Sequence, residues 1–560
     1  MISESQLLSD PFLQQPTATS VRVVWFTEFA GSSHTVAYGT NLHQKASAIT
    51  TKLSRTREDQ KSKVGNQTHE NQVYQQLTRR DVWRHEAQVD GLISNTRVPY
   101  QVTSVREDSK GVSSKIFSLA PSPKPGTSLK ILLTSDHQLM PMVSANLQKV
   151  VETVGQVDAV FHAGDLVNLP DRASEWFDDH RGGAFFPCLQ GRARYQLEKN
   201  GIQTLYQGGE LIQHAPIFPT IGNHEVMGHF STESSLSEQF NDAFPRSVAE
   251  QLYTLYTKLL NPQDDQQVRA NWIKDHSFNT DTYEEIFSFP QGSPGGKYYA
   301  VTFGDIRLVV LYVTNFWGKP SLDVNIRGRY RERQQDLNNP NKWGYGQHIF
   351  EPIAKGSEQY IWLDQELNSL EFQQAKYKVV MLHHPPHTLG DNIVPAYTDP
   401  VQVIERHTDG SIQAVRYEYP QEADYIIRDV VPLLEKAGVQ LVLFGHSHLW
   451  NRFVSPSGMH FLETSNVGNS YGAAIADRQR PIPSGYAENY TATGDPNGLE
   501  PVVPAIAPLV GEDNKPLPYI ASNDITVFSI LDTGAGTVSS YYFDTREPHS
   551  QVVKFDIFHL

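Results

Sequence analysis

Five short apolar segments spread along the chain each end in aspartate, asparagine or histidine. They read ILLTSD, VFHAGD, PTIGNHE, VVMLHH and LVLFGHSH, and their polar ends are Asp136, Asp165, Asn223 with His224, His383, and His446 with His448. Stretches with helical spacing, such as residues 142–155, lie between several of them. Short apolar strands that alternate with helices are typical of α/β folds whose strands are buried on both faces. The pattern therefore predicts two packed β-sheets flanked by helices.

The polar ends of these segments predict a binding site. In open α/β sheets, ligands bind outside the carboxyl ends of the strands, which is where all five ends fall. One polar strand end has a simple explanation, because strands often turn polar as they reach solvent. Five ends that carry only aspartate, asparagine or histidine are not explained in that way.

The residue types suit a site for two metal ions. Oxygen and imidazole ligands without a thiolate match manganese, iron or zinc, and match an ion that prefers oxygen alone less well. Two cations ~3.5–4 Å apart need a bridging carboxylate, and together they clamp a phosphoryl group and lower the pKa of a bridging water. Asp165 suits the bridge, because Gly164 before it lets the backbone come close to the ions.

The charge balance narrows the class of partner. The 560 residues include 47 basic and 62 acidic side chains, which gives a net charge of −15. A nucleic-acid duplex and a membrane surface both demand a basic footprint, so neither is expected as the main partner. A small phosphorylated substrate remains compatible, since it responds to local charge and to bound metals.

The single cysteine and the first residues set further limits. Cys188 has no partner for an internal disulfide and cannot build a thiolate zinc site. The first residues lack the basic and apolar regions of a secretory signal, and no apolar run reaches the ~18 residues that a membrane span needs. A cytoplasmic location is therefore the default expectation.

The composition of the chain changes near residue 120. Residues 20–29 and 34–40 alternate in the manner of β-strands, and residues 41–83 form a polar, charged insertion. The stretch APSPKPGTS, at residues 120–128, has the proline, serine and glycine content of a linker. We therefore divide the chain into an all-β sandwich, a linker and an α/β unit, at residues 1–120, 121–128 and 129–560. Residues 477–520, rich in proline and glycine, are expected to form a long loop or a flap.

The motifs stand in the order found in the calcineurin-like metallophosphoesterases, which this chain resembles. That superfamily has Asp, Gly-Asp, Gly-Asn-His-Asp/Glu, His and Gly-His-x-His in succession. The corresponding elements here are Asp136, GD at 164–165, GNHE at 222–225, His383 and GHSH at 445–448.

Within that superfamily, the chain looks most like the purple acid phosphatases and their bacterial relatives, over most of its length. DPFLQQPTATSVRVVWFTE, at residues 10–28, resembles the start of their fibronectin-III-like N-terminal domain. VVMLH, which ends at His383, matches their Val-x-x-His. GHSHLWNR resembles their Gly-His-x-His-x-x-Glu-Arg, with Asn451 in place of the glutamate. The resemblance implies a metallophosphatase fold preceded by a fibronectin-III-like sandwich.

The resemblance also implies roles for the site residues. By this resemblance Asp165 would bridge the two ions. Asp136 and His448 would hold the first ion, and the second would be held by Asn223, His383 and His446. His224 would lie over the phosphate and either stabilise its charge or protonate the leaving group. The implied activity is hydrolysis of phosphate monoesters, of the acid-phosphatase kind, by in-line attack of a metal-activated hydroxide.

Two positions depart from the purple acid phosphatase pattern. The Gly-Asp-x-x-Tyr of that family carries a tyrosinate that binds ferric iron, whereas this chain has GDLVN, with Asn168 at that place. An amide is a neutral and weaker ligand, which argues against a stable iron(III) centre. The Asp-x-Gly of that family is here Asp136-His137-Gln138. His137 is expected on the opposite face of the strand, and Gln138 could reach the first ion through its carbonyl oxygen or a water.

Several alternatives stay open at this stage. A phosphodiesterase acting on nucleotides or other diesters would use the same metals. A non-catalytic binding protein with a degenerate first metal site is the alternative from another class, although His224 is not needed merely to hold metal. His384 and His387, in the sequence HHPPH, contact either the substrate or the neighbouring prolines. The many secreted members of the family leave a secreted or periplasmic location open.

Overall fold

The N-terminal part of the chain is built from antiparallel strands, as predicted. The computed structural model describes residues 7–65, 72–290, 296–390, 392, 396–480 and 491–560. The first strands are β1 (Phe12–Gln14), β2 (Val21–Thr27), β3 (Ser33–Tyr38), β4 (Gln44–Ser47), β5 (Ile49–Lys52), β6 (Arg57–Glu58), β7 (Thr78–Arg79), β8 (Trp83–Val89), β9 (Val98–Val105), β10 (Gly111–Ser113) and β11 (Phe117–Leu119). One sheet has the order β1-β2-β8-β5, and the other has the order β10-β9-β3-β4 with β11 also paired to β9. Strands β6 and β7 pair with each other.

Strand β2 is buried on both faces, because the N-terminal part packs against the rest of the chain. Val23 and Trp25 lie in the core between the two N-terminal sheets. Val24 and Phe26 lie in a second core, which they share with helices of the α/β part. Successive side chains of a strand point to opposite faces, so a single strand serves both cores. The N-terminal part is therefore joined to the α/β part by packed apolar surface.

The remaining strands and the helices form the α/β part. Its strands are β12 (Lys130–Thr134), β13 (Ala159–His162), β14 (Tyr195–Lys199), β15 (Ile202–Tyr206), β16 (Ile217–Pro219), β17 (Tyr299–Phe303), β18 (Ile306–Val310), β19 (Tyr377–Met381), β20 (Val401–Arg406), β21 (Ile412–Glu418), β22 (Leu441–Phe444), β23 (Trp450–Val454), β24 (His460–Thr464), β25 (Tyr519–Ile520), β26 (Ile525–Asp532), β27 (Thr537–Asp544) and β28 (Val553–His559). The α-helices in the described residues are α1 (Val143–Val154), α2 (Ala173–Phe177), α3 (Phe185–Leu189), α4 (Leu236–Phe240), α5 (Arg246–Leu260), α6 (Gln266–Asp275), α7 (Asp281–Ile286), α8 (Glu358–Leu367), α9 (Leu370–Gln374) and α10 (Val431–Ala437).

Two mixed sheets organise this part. One has the order β16-β13-β12-β26-β27-β28, in which β16, β13 and β12 are parallel. The other has the order β17-β18-β19-β22-β24-β23-β25, in which β18, β19, β22 and β24 are parallel. All five segments that end in candidate ligands are parallel members of these sheets or directly follow one. Their carboxyl ends therefore lie at the same edge of the two mixed sheets.

The two sheets pack face to face, and helices cover their outer faces. Leu133 of β12 and Met381 of β19 lie in the core between the sheets. The neighbouring Leu132 lies in the core that also contains Leu147 of helix α1. Val380 lies in a third core, together with residues of helices α8 and α10. This alternation confirms the predicted pair of packed sheets flanked by helices.

The expected loop at residues 477–520 is described only in part. Residues 481–490 of the expected loop at 477–520 lie outside the described residues, and its other residues carry no helix, with strand β25 at the end. Among the described residues, no helix has both the length and the apolar character of a membrane span.

The core between the N-terminal sheets contains a stacked histidine pair. The ring centroids of His34 and His85 lie 3.6 Å apart. The ring nitrogens of His85 hydrogen-bond the hydroxyls of Thr27, at 2.8 Å, and Thr50, at 2.9 Å. Burial, together with the charges of His34 and Arg84, lowers the pKa of His85 to about 3. The folded protein therefore keeps this imidazole neutral.

We expect acid to destabilise the N-terminal part through His85. Between about pH 6.5 and pH 3, His85 is protonated in the unfolded chain but not in the folded chain. The free energy of unfolding should therefore fall as the pH drops through this range. Between about pH 7 and pH 4, the wild type should lose about 3 kcal/mol more than His85→Gln. Thermal unfolding of both proteins across this range measures the difference. An identical pH dependence in both would contradict the expectation.

Candidate metal centre

The ends of strands from both sheets bring the predicted ligands together. Two groups of three residues have ligand atoms within 4.8 Å of one another: Asp165, His383 and His446 form one, and Asp136, Asp165 and His448 form the other. Every member is buried, and Asp165 belongs to both groups. The shared residue lies where the two sheets meet, since Asp165 follows β13 and His383 follows β19.

Hydrogen bonds orient the histidines toward the centre. Nδ1 of His383 donates to the carbonyl of Ala163 at 2.8 Å, and Nδ1 of His448 donates to the carbonyl of Asn469 at 3.0 Å. Because a carbonyl only accepts, Nε2 of each ring is left as the ligand atom. Nε2 of His383 lies 3.2 Å from Oδ1 of Asn223 and 3.3 Å from Oδ2 of Asp165. Asn223 thus lies beside this group.

The backbone at the centre is strained. The φ angles of Asp136, Asp165, His446 and His448 are 56°, 56°, 81° and 57°, all in the left-handed region that residues other than glycine rarely adopt. Such conformations persist where the surrounding structure imposes them, and they cluster at functional sites. Gly164 has a φ of 92°, and a Cβ at this position would lie 2.7 Å from Nδ1 of His383. The turn before Asp165 therefore requires glycine.

The charges at the centre are mutually dependent. Burial alone would raise the pKa of the Asp165 carboxyl, but His383 and His224 hold it well below its usual range. Burial alone would lower the pKa of His383, but Asp165 raises it to about 10. The buried carboxylate thus attracts positive charge to the centre. A metal cation supplies such charge when it displaces a proton from its ligand.

Gln138 provides a test of whether a cation fits this site. Its Nε2 donates to Oδ2 of Asp165 at 3.2 Å, whereas its buried Oε1 has no hydrogen-bond partner among the described residues. Buried polar atoms are almost always satisfied, so an orphaned acceptor beside carboxylates and imidazoles indicates a missing cation or water. The donor set and this acceptor fit metal ions that take oxygen and nitrogen ligands.

Asn168 and His137 lie near the centre but outside the two ligand groups. Asn168 donates from Nδ2 to the carbonyl of Gln138 at 2.6 Å, and its own carbonyl accepts from Nδ1 of His224 at 2.8 Å. His137 lies outside both ligand groups, with Nε2 3.0 Å from the hydroxyl of Thr134. Asn168 is thus engaged with its neighbours through both its side chain and its backbone.

The two histidines that follow His383 differ in their surroundings. The ring of His384 lies 4.9 Å from those of His446 and Tyr397, and within the described part of the chain its buried Nδ1 has no hydrogen-bond partner. Nδ1 of His387 instead lies 2.7 Å from Oδ2 of Asp495, in a buried pair. His384 therefore borders the centre, whereas His387 fastens the segment around Asp495.

Glu463 is a buried residue of the site that the sequence motifs missed. Its carboxylate accepts from the backbone N–H of Ser447 at 2.8 Å and from Nδ2 of Asn451 at 3.2 Å. Asn451 on β23 and Glu463 on β24 are cross-strand neighbours. The carboxylate expected at position 451 from the resemblance is thus supplied by the adjacent strand. A glutamate directly after the apolar pair Phe461 and Leu462 was the available signal.

Comparisons with known proteins bear on the family and the fold of the chain. The profile of the calcineurin-like phosphoesterase family matches residues 129–449. Purple acid phosphatase PPD1 from yellow lupin (Lupinus luteus) seeds is 14% identical, with a TM-score of 0.53, over 98% of this chain and 74% of that one. GAP50, the anchor in the inner membrane complex of Plasmodium, is 9% identical, with a TM-score of 0.30, over 77% of this chain and 89% of that one. No curated protein matches significantly.

The match to the family profile covers more than half of the chain and includes every candidate ligand. The similarity to the lupin structure extends the shared fold to the N-terminal strands. The chain belongs to the calcineurin-like phosphoesterase family, and it is a metal-dependent phosphoesterase with a purple acid phosphatase fold.

Proposed function

We propose that the chain hydrolyses phosphate monoesters with two metal ions that share Asp165. The observation that carries this proposal is the overlap of the two ligand groups at that residue. The ligands of one ion would be Asp165, Asp136, His448 and the side-chain oxygen of Gln138, and those of the other would be Asp165, Asn223, His383 and His446. When bound, the ions supply positive charge that activates a water and neutralises the phosphate oxygens. Iron, manganese and zinc suit this donor set.

We assign to His224 the proton that the leaving group takes up. Its backbone N–H donates to Oδ1 of Asp165 at 2.9 Å, so the residue lies beside the bridging carboxylate. Its Nδ1 donates to the carbonyl of Asn168, so Nδ1 retains a proton and Nε2 is the atom that carries the transferable one. A protonated Nε2 donates to the departing oxygen of the ester, which is general acid catalysis.

Metal titration during hydrolysis tests the proposal. Protein purified without added metal is assayed by elemental analysis, and manganese, iron or zinc is then added while hydrolysis of para-nitrophenyl phosphate and of its bis-ester is followed. We expect two ions per chain at saturation and turnover of the monoester that exceeds that of the diester by at least ~10-fold.

Two outcomes would contradict the proposal in different ways. A preference for the diester would show a phosphodiesterase with the same centre. One ion per chain and no turnover with any metal would favour a binding protein whose first metal site has degenerated.

A further inference from the structure

His224 is held by two supports. The carbonyl of Asn168 fixes its Nδ1 at 2.8 Å. The ring of Phe240 stacks on the imidazole, with a centroid separation of 5.1 Å and an interplanar angle of 29°. The first support fixes the tautomer and the second fixes the plane of the ring. Together they determine where Nε2 lies.

The first support depends on a buried carboxylate. Oε2 of Glu175 accepts from the backbone N–H groups of Asn168 and Leu169, at 2.7 and 2.9 Å. Oε1 of Glu175 accepts from Nη1 of Arg172 at 3.0 Å. Glu175 and Arg172 are 3% and 7% exposed. The position of the Asn168 carbonyl is therefore set by a buried ion pair and not by solvent-exposed loop contacts.

Both supports lead to Asp59 in the N-terminal part of the chain. Oδ1 of Asp59 accepts from Nη2 of Arg172 at 2.9 Å. Oδ2 accepts from the backbone N–H of Leu236 at 3.0 Å, and Leu236 begins helix α4, which ends at Phe240. One carboxylate, only 4% exposed, thus contacts the group that positions Asn168 and the helix that carries Phe240.

Stability alone does not account for this arrangement. Arg57 with Asp171, at 2.6 Å, and Arg80 with Asp178, at 2.7 Å, already fasten the same two surfaces. A buried ion pair adds little net stability, because the cost of desolvation offsets the attraction. We propose that Asp59 is a positioning residue for the hydrolytic reaction, because it holds both supports of His224. This inference rests on the proton assigned to His224 in the proposed function.

The leaving group of the substrate separates positioning of His224 from a general structural role. Asp59→Asn retains the size of the side chain, but an amide has one accepting atom and cannot serve both donors. We expect kcat for phenyl phosphate, which has a poor leaving group, to fall by ~10-fold in Asp59→Asn. For para-nitrophenyl phosphate, whose leaving group needs less protonation, the fall should be no more than ~2-fold. KM and metal content should not change.

A double-mutant cycle and a matched control complete the experiment. In a His224→Asn background, Asp59→Asn should cause no further loss, because residues that act through one another are not additive. Asp275→Asn is the control: it removes a more exposed ion pair between the two parts of the chain, with Arg55 at 2.6 Å, and should leave both kcat values unchanged. If Asp59→Asn is insoluble, Arg172→Lys disturbs the contact between Asp59 and the group that positions Asn168, which is the first of the two supports, and it is judged by the same criteria.

The outcomes are distinguishable. Equal losses on both substrates, or a loss that persists undiminished in the His224→Asn background, would overturn the role of Asp59 alone. If His224→Asn does not itself discriminate between the two substrates, the proton assigned to His224 is wrong and this inference falls with it. The role of Asp59 and the proton assigned to His224 are both supported if Asp59→Asn lowers kcat for phenyl phosphate alone and causes no further loss in the His224→Asn background.

Discussion

Asp165→Asn should lower kcat for a phosphate monoester by at least ~10³-fold and should release both metal ions. The residue belongs to both ligand groups, so a single substitution reaches both of the proposed ions. An amide has one neutral acceptor oxygen, so it can neither bridge two cations nor balance their charge. Parallel measurements of turnover and of metal content by elemental analysis check the prediction.

A buried aspartate outside the centre provides the control. Asp336 is 3% exposed and pairs with Arg333, and neither residue belongs to a ligand group. Asp336→Asn should therefore keep both the turnover and the metal content of the wild type, even if its melting temperature falls. Full activity in Asp165→Asn, with both ions retained, would exclude this centre as the site of hydrolysis.

The sequence was sufficient to predict the strands and the direction in which they present the ligands. A buried strand needs a run of apolar residues, and the residue that follows it lies at the edge of the sheet. Asp165 and His383 could thus be placed near each other although more than 200 residues separate them. The local pattern carries this information because parallel strands align their ends.

The contacts that depend on register could not be predicted. The pairing of Asn451 with Glu463 requires knowledge of how β23 lies beside β24, and neither segment encodes it alone. The left-handed backbone at Asp136 and Asp165 likewise arises from the packing of turns around the centre. Positive φ is uncommon for residues other than glycine, and it persists where the surrounding structure imposes it.

The buried role of a residue in the charged insertion at residues 41–83 could not be predicted either. Charged side chains are usually exposed, so this insertion gave no indication of a buried role. The structure instead buries Asp59, whose partner Arg172 lies 113 residues away. A residue of this kind is recognised only when both halves of an ion pair are seen together.

Gly222→Ala should lower kcat by ~10²-fold without removing any ligand. The φ of Gly222 is −95°, a value open to alanine, so the effect is purely steric. A Cβ at this position would lie 2.2 Å from Oδ1 and 2.4 Å from the backbone nitrogen of Asp165, so the Asp165 carboxylate must move. Overpacking of this kind also lowers stability by about 1–3 kcal/mol, which thermal unfolding measures.

Gly111→Ala is the matched control, because the atom nearest to a Cβ at Gly111, Cγ2 of Thr103, lies 3.8 Å away. Unchanged turnover in Gly222→Ala would mean that the position of the Asp165 carboxylate does not limit the reaction, and the bridging role proposed for it would fail.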